Sequence, residues 1–181
     1  PDFSRMFTVI ISSGVTLSAH QFVVLLIVGL IALALTLVLL FKPRYPAAVP
    51  AYASLLALHA STYIYLTTST LVFWGCATLL VALLHMLLPK GEPAASRASN
   101  LYVGLGALAG LAVGIAVSAR IVILGVILGT FLGLFAYSRT PKGSWLKFPT
   151  FTFIQYFCAK GLPAIVAVAI IGIAIEGFLV R

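Results

Sequence analysis

Acid is scarce in this chain. Asp2, Glu92 and Glu176 are the only carboxylates among 181 residues, and they stand too far apart to supply the acid and base that proton-transfer chemistry needs at one site. Cysteine is scarcer still. Cys76 and Cys158 form no Cys-x-x-Cys and have no histidine at metal-ligand spacing, so both read as small buried hydrophobes. The three histidines, His20, His59 and His85, fall at different expected depths, which excludes a shared metal site. No nucleophile elbow or phosphate loop is present, and Gly-Leu-Gly at 104–106 has no strand before it to make a dinucleotide fold. The expectation is a protein that is not an enzyme and holds no cofactor and no metal.

Charge of either sign is also rare, at 8% of residues, where soluble domains carry about 25%. What fills the space is apolar. Hydrophobic residues make up 62% and the mean hydropathy is +1.20, which places the chain in lipid as an integral membrane protein. The expected fold is all-α, a transmembrane helical bundle forming a single domain over 1–181. A crossing needs about 20 apolar residues. Six segments qualify, at about 21–41, 48–66, 71–88, 101–118, 121–138 and 162–180. The long apolar stretch 48–88 divides at Thr67 to Thr70, and the fourth and fifth segments are split only by Ala119 and Arg120.

Two shorter stretches fit less well. Residues 3–17 contain Arg5, two serines and Gly14, which makes 1–20 an interfacial N-terminal segment rather than a span or a cleavable signal. The aromatic stretch 148–161 suits the headgroup level, lying on the surface or entering part way before the sixth span.

Six spans put Lys42, Arg44, Lys90, Arg97, Arg139, Lys142 and Lys147 on one side, and Arg5, Arg120 and Arg181 on the other. The positive-inside rule makes the first side cytoplasmic, so both termini face outward from a cell membrane. The formal charge of +8 is therefore mostly a topology signal. Its scatter over short loops argues against nucleic acid and leaves attraction to anionic lipid as the secondary effect.

Glycine is abundant where it has structural use. Gly106, Gly110 and Gly114, continued by Ser118, recur every fourth residue, and Gly125, Gly129 and Gly133 repeat the pattern on the next segment. Such small-residue stripes let helix backbones approach in lipid, where little hydrophobic force draws helices together. The short turn from Ser118 to Ile121 makes the two helices antiparallel neighbours, so a glycine-zipper hairpin is expected. Packing of the stripes against other protomers, or around a pore, is the competing arrangement.

The run from Pro46 through LLALHASTY, LVFWG and LLHMLLP to GVILGTFLG resembles a family of small bacterial membrane proteins known only as a domain of unknown function, number 456. The similarity covers about residues 46–137. It implies a small multi-span protein of the bacterial inner membrane and no particular chemistry. The chain departs from the family pattern at three places: His85 stands where an acid is usual, Thr130 where a proline is usual, and Tyr137 and Ser138 where a Gly-Glu pair is usual.

Ionisable and hydroxylic groups within spans are functional candidates because lipid makes them costly. His59 and Tyr63 share a face if the second span is helical to residue 66, and Ser61 and Tyr65 join a neighbouring polar stripe. Together with His85 and Glu176 they form a candidate polar path. Interhelical hydrogen bonding is the structural alternative. His20 and His85 both read as interfacial, Lys160 as snorkelling to the headgroups, and Glu176 as able to pair with Arg120. The resulting functional expectation is a transporter-like or channel-like protein for a small solute or ion, alone, as a homo-oligomer or with partner membrane subunits. The alternative is an accessory or assembly subunit of a larger membrane complex.

Overall fold

The computed structural model describes residues 19–42, 45–88, 93–118 and 121–179. Every regular element among them is helical: α1 (Ala19–Leu40), α2 (Ala48–Ala60), α3 (Thr68–Leu87), α4 (Pro93–Val117), α5 (Val122–Ser138), α6 (Phe151–Tyr156) and α7 (Leu162–Leu179). A wide π-type turn, Phe157–Gly161, joins α6 to α7 without a break, so Phe151–Leu179 is one rod of 29 residues. Four stretches are long and apolar enough to cross a membrane: His20–Leu40, Thr68–Leu87, Arg97–Val117 and Phe151–Leu179. This architecture fits a membrane protein. Ala48–Ala60 and Val122–Ser138 are apolar but shorter.

Local chemistry explains where the helices begin and end. Thr67 takes an extended conformation and its hydroxyl accepts from the Thr70 N–H at 3.4 Å, opening α3. The same helix closes at Leu88, whose extended backbone is what the following Pro89 in the sequence demands. Thr150 caps α6 through the Phe153 N–H at 3.3 Å. At the end of α5, the Thr140 N–H and hydroxyl both donate to the Tyr137 carbonyl, at 2.9 and 2.7 Å.

The second helix is shorter than the segment 48–66 that its hydropathy suggests. It stops at Ala60. There the Ser61 hydroxyl donates to the Leu58 carbonyl at 2.8 Å, and Thr62 adopts a left-handed φ of 54°, which turns the chain out of the helical path. Residues 61–67 are consequently a non-helical turn. The aromatic stretch 148–161, by contrast, becomes helical from Phe151 and feeds directly into the last rod. The interfacial segment expected at 3–17 lies outside the described residues.

The core is built around α7. Pro163 to Gly172 and Ala174 are all buried, and a helix apolar on every side is one that neighbours surround. The helices α2, α3, α4 and α5 all pack on it, with α1 held mainly by α2. Outward faces of α1 and α3, including Val24, Ile31, Val72, Phe73 and Leu80, remain exposed and apolar, as suits a lipid solvent. Cys76 belongs to that outward face of α3, and Cys158 is only partly covered; neither is the fully buried thiol expected, because the helix face carrying Cys76 turns away from α7.

Between α4 and α5 the two backbones meet directly. A methyl group placed on Gly106 would strike the Gly129 carbonyl oxygen, and one on Gly110 would strike that of Gly125. Reciprocally, one on Gly125 would lie 2.5 Å from the Gly110 oxygen, and one on Gly114 would lie 2.7 Å from the Val122 Cα. Gly133 similarly faces the Tyr102 carbonyl. The turn closes with Ser118 N–H donating to the Gly114 carbonyl and Ile121 N–H to that of Ser118, each at 2.9 Å. Dispersion between touching backbones holds this hairpin.

Candidate functional site

Where α7 begins, three polar side chains from three elements are buried together. Lys160 lies in the π-type turn, His85 in the last turn of α3 and Asn100 in α4; they are 5%, 4% and 6% exposed. All three line one narrow cleft of about 20 Å³, a volume on the scale of one water, with Lys42, Tyr45, Pro46 and Pro163. Lys42 and Tyr45 are exposed and stand at its outer edge.

Proline creates one of the contacts. Pro163 has no N–H to offer the Ala159 carbonyl, its α-helical partner four residues back. The His85 Nδ1 meets that carbonyl at 3.0 Å. A carbonyl only accepts, so His85 donates there and its Nδ1 carries the hydrogen. Nε2 therefore supplies the ring's other polar edge. Beside it, Ser99 and Tyr156, both buried, share a short hydroxyl–hydroxyl hydrogen bond that ties α4 to α6. Wide π-type turns of this kind occur often at functional sites.

The polar path expected from His59, Ser61, Tyr63, Tyr65, His85 and Glu176 is not assembled. Because α2 ends at Ala60, His59 and Tyr63 do not share a helical face. The His59 Nδ1 instead faces the Ile64 carbonyl and the Leu66 N–H, each at 3.3 Å, and serves one or the other according to its tautomer. Ser61 is spent on Leu58. Tyr63 packs its ring on Phe178, with centroids 4.8 Å apart, and Tyr65 is 68% exposed. Glu176 is half-buried near the same end of α7. Its suggested partner Arg120 lies outside the described residues.

His85 alone of that set reaches the cleft, at the opposite end of α7. Two of its expected features change. His85 is buried rather than interfacial because the π-type turn packs on the end of α3, and Lys160 is buried rather than snorkelling because it sits inside the rod instead of before it. Sequence reading passed over Asn100, Ser99 and Tyr156. The missed signal was the apolar continuity of 151–179, which places Lys160 nine residues into a span.

Among the described residues no cluster of three metal-ligating side chains occurs. Comparison with family models, with curated proteins and with solved structures finds no match.

Proposed function

We propose that this protein is a non-enzymatic membrane carrier for a small anionic solute, which it binds in the cleft between α3, α4 and the π-type turn. One observation carries the reading: Lys160 is enclosed within a membrane-spanning rod, in the wall of the same cleft as His85, Asn100 and Lys42. A cation in that setting costs several kcal/mol of lost hydration. Packing alone does not call for a charge there, since an apolar side chain of similar length would fill the same space. Recognition of negative charge does. Lys42 at the rim adds a second cation, and the Asn100 amide supplies neutral donors. Glu176, the one carboxylate among the described residues, lies sixteen residues further along the rod, about 24 Å away.

The cleft is too small for a solute beyond the size of a water, so loading requires it to widen. The π-type turn supplies a place to do so, because a wide turn of this kind interrupts the regular bonding of the rod beside the cleft. Reconstitution into proteoliposomes tests the reading with a panel of small anions, from chloride and nitrate to phosphate and short carboxylates. The expected result is saturable uptake of at least one anion, lost in Lys160→Gln protein that retains its assembly and melting behaviour. Wild-type protein that moves no anion and co-purifies with a stoichiometric membrane partner would instead support the accessory-subunit reading.

A further inference from the structure

A second basic feature lies outside that cleft. Phe135, Ser138 and Arg139 at the end of α5, together with Lys147 and Phe148 ahead of α6, enclose a shallow niche of about 320 Å³. That volume falls at the lower end of small-molecule sites, about 300–1,000 Å³. Its walls are aromatic: the Phe135 and Phe148 rings meet edge to face with centroids 5.8 Å apart. The Arg139 guanidinium lies over Phe135, 4.9 Å from the ring centre, and is thereby held at the rim while still exposed. Lys147 is exposed across from it.

A helix end ordinarily repels anions through its unpaired carbonyls. Here three of the last four carbonyls are occupied. The Ser138 hydroxyl donates to the Phe135 carbonyl at 2.6 Å, the Arg139 N–H to that of Ala136 at 3.2 Å, and Thr140 covers that of Tyr137 twice. The two cations therefore set the local charge. Below the niche, Leu132, Leu128 and Leu124 continue along α5 at four-residue intervals, all exposed. Leu132 and Leu128 fall within about 20° of Arg139 around the helix axis, so an apolar strip runs from the basic rim into the hydrocarbon.

We propose that this niche seats the phosphate of an anionic phospholipid, with Arg139 and Lys147 on the phosphate, the glycerol region against the paired Phe135 and Phe148 rings, and an acyl chain along the α5 leucines. Two cations above aromatic walls at a helix end match a phosphodiester at the interface. The leucine strip favours a lipid over a free phosphate, which has no use for it. This seat is independent of the cleft at Lys160.

Native mass spectrometry of the protein released from nanodiscs containing equal phosphatidylglycerol and phosphatidylcholine tests it. Retained phosphatidylglycerol should exceed phosphatidylcholine, and the excess should fall about fivefold for each of Arg139→Gln and Lys147→Gln, the scale of one surface cation on an anionic membrane. Lys142→Gln, an exposed cation that does not line the niche, should leave the ratio unchanged. Equal retention of both lipids overturns the proposal. So does an equal loss in Lys142→Gln, which would reduce the effect to general basicity, and so does displacement of the lipid by millimolar glycerol phosphate, which would assign the niche to a soluble phosphate.

Discussion

Lys160 and His59 show how differently two ionisable residues can be used inside one bundle. Lys160 is enclosed in a cleft where His85 and Asn100 stand among apolar neighbours such as Leu40, Val103 and Pro163. Replacing a whole buried ion pair by apolar residues is often neutral or stabilising by about 1–4 kcal/mol, whereas removing one charged member alone leaves its partners unsatisfied and is destabilising. Lys160→Met protein is accordingly expected to lose anion-dependent stabilisation in detergent, whereas the wild type keeps it. A lower melting temperature for Met with no anion effect in either protein would make Lys160 a structural group. His59 has the opposite character, since its ring nitrogen serves only the backbone of its own turn, at Ile64 and Leu66. Removing one such hydrogen bond costs about 1 kcal/mol. His59→Ala should lower thermal stability by about that amount and leave solute uptake intact, as measured by the same proteoliposome assay; loss of uptake at unchanged stability would return His59 to the transport route.

At the scale of elements, the α4–α5 hairpin and the α2 turn mark what a sequence can and cannot disclose. Glycine spacing points to where two backbones can touch, because the lack of a side chain permits the closest approach, and the stripes 106–114 and 125–133 sit face to face in the structure. The end of α2 has no comparable signature. Ser61, Thr62 and Tyr63 include no proline or glycine, and the left-handed backbone at Thr62 goes with bonds back to the helix end, Thr62 N–H to His59 and Ile64 N–H to Leu58, and with Ile64 packed against Gly177. Hydropathy reads straight through it. The cleft was illegible for a related reason: His85, Asn100 and Lys160 are far apart in the chain, and only the packing of three elements brings them together. The contact types yield a graded prediction. Alanine is favoured over glycine in a helix by about 1 kcal/mol. At Gly104 the added methyl meets the Phe41 ring at 2.9 Å, a side chain with room to rotate, so Gly104→Ala should change stability by less than about 1 kcal/mol. At Gly110 the obstacle is the backbone of Gly125, which yields only if the helices separate. Gly110→Ala should therefore destabilise by about 1–3 kcal/mol despite its better helix propensity. Thermal melts of the two variants in one detergent compare them, and equal stability would show that the hairpin is looser than its geometry implies.

For the whole molecule, the decisive feature is the position of α7. A conducting pore needs a lumen, and the place where this bundle would have one is filled by Pro163 to Gly172 packed on all sides. Gly172 illustrates how tightly: a methyl group there would stand 2.9 Å from Leu111 and 3.2 Å from Val122, side chains of α4 and α5. The polar groups are likewise split, with Lys160 and His85 at the start of α7 and Glu176 at its far end, and the intervening helix is apolar. On the carrier reading, a solute at the cleft would have no standing route along the axis and would cross only if packed helices exchanged one arrangement for another. Such rearrangements occur on microsecond to millisecond timescales or slower, which sets a carrier apart from an open pore. The expected electrical signature in planar bilayers is the absence of unitary current steps, together with uptake in vesicles that saturates with solute concentration. Because the rearrangement must pass α7, Ala167→Leu and Ala169→Leu, which overfill its buried faces, should slow uptake more than they weaken binding. Unitary steps from purified protein, or uptake rising linearly without saturation, would mean that a continuous path opens beside α7 and that the carrier reading is wrong.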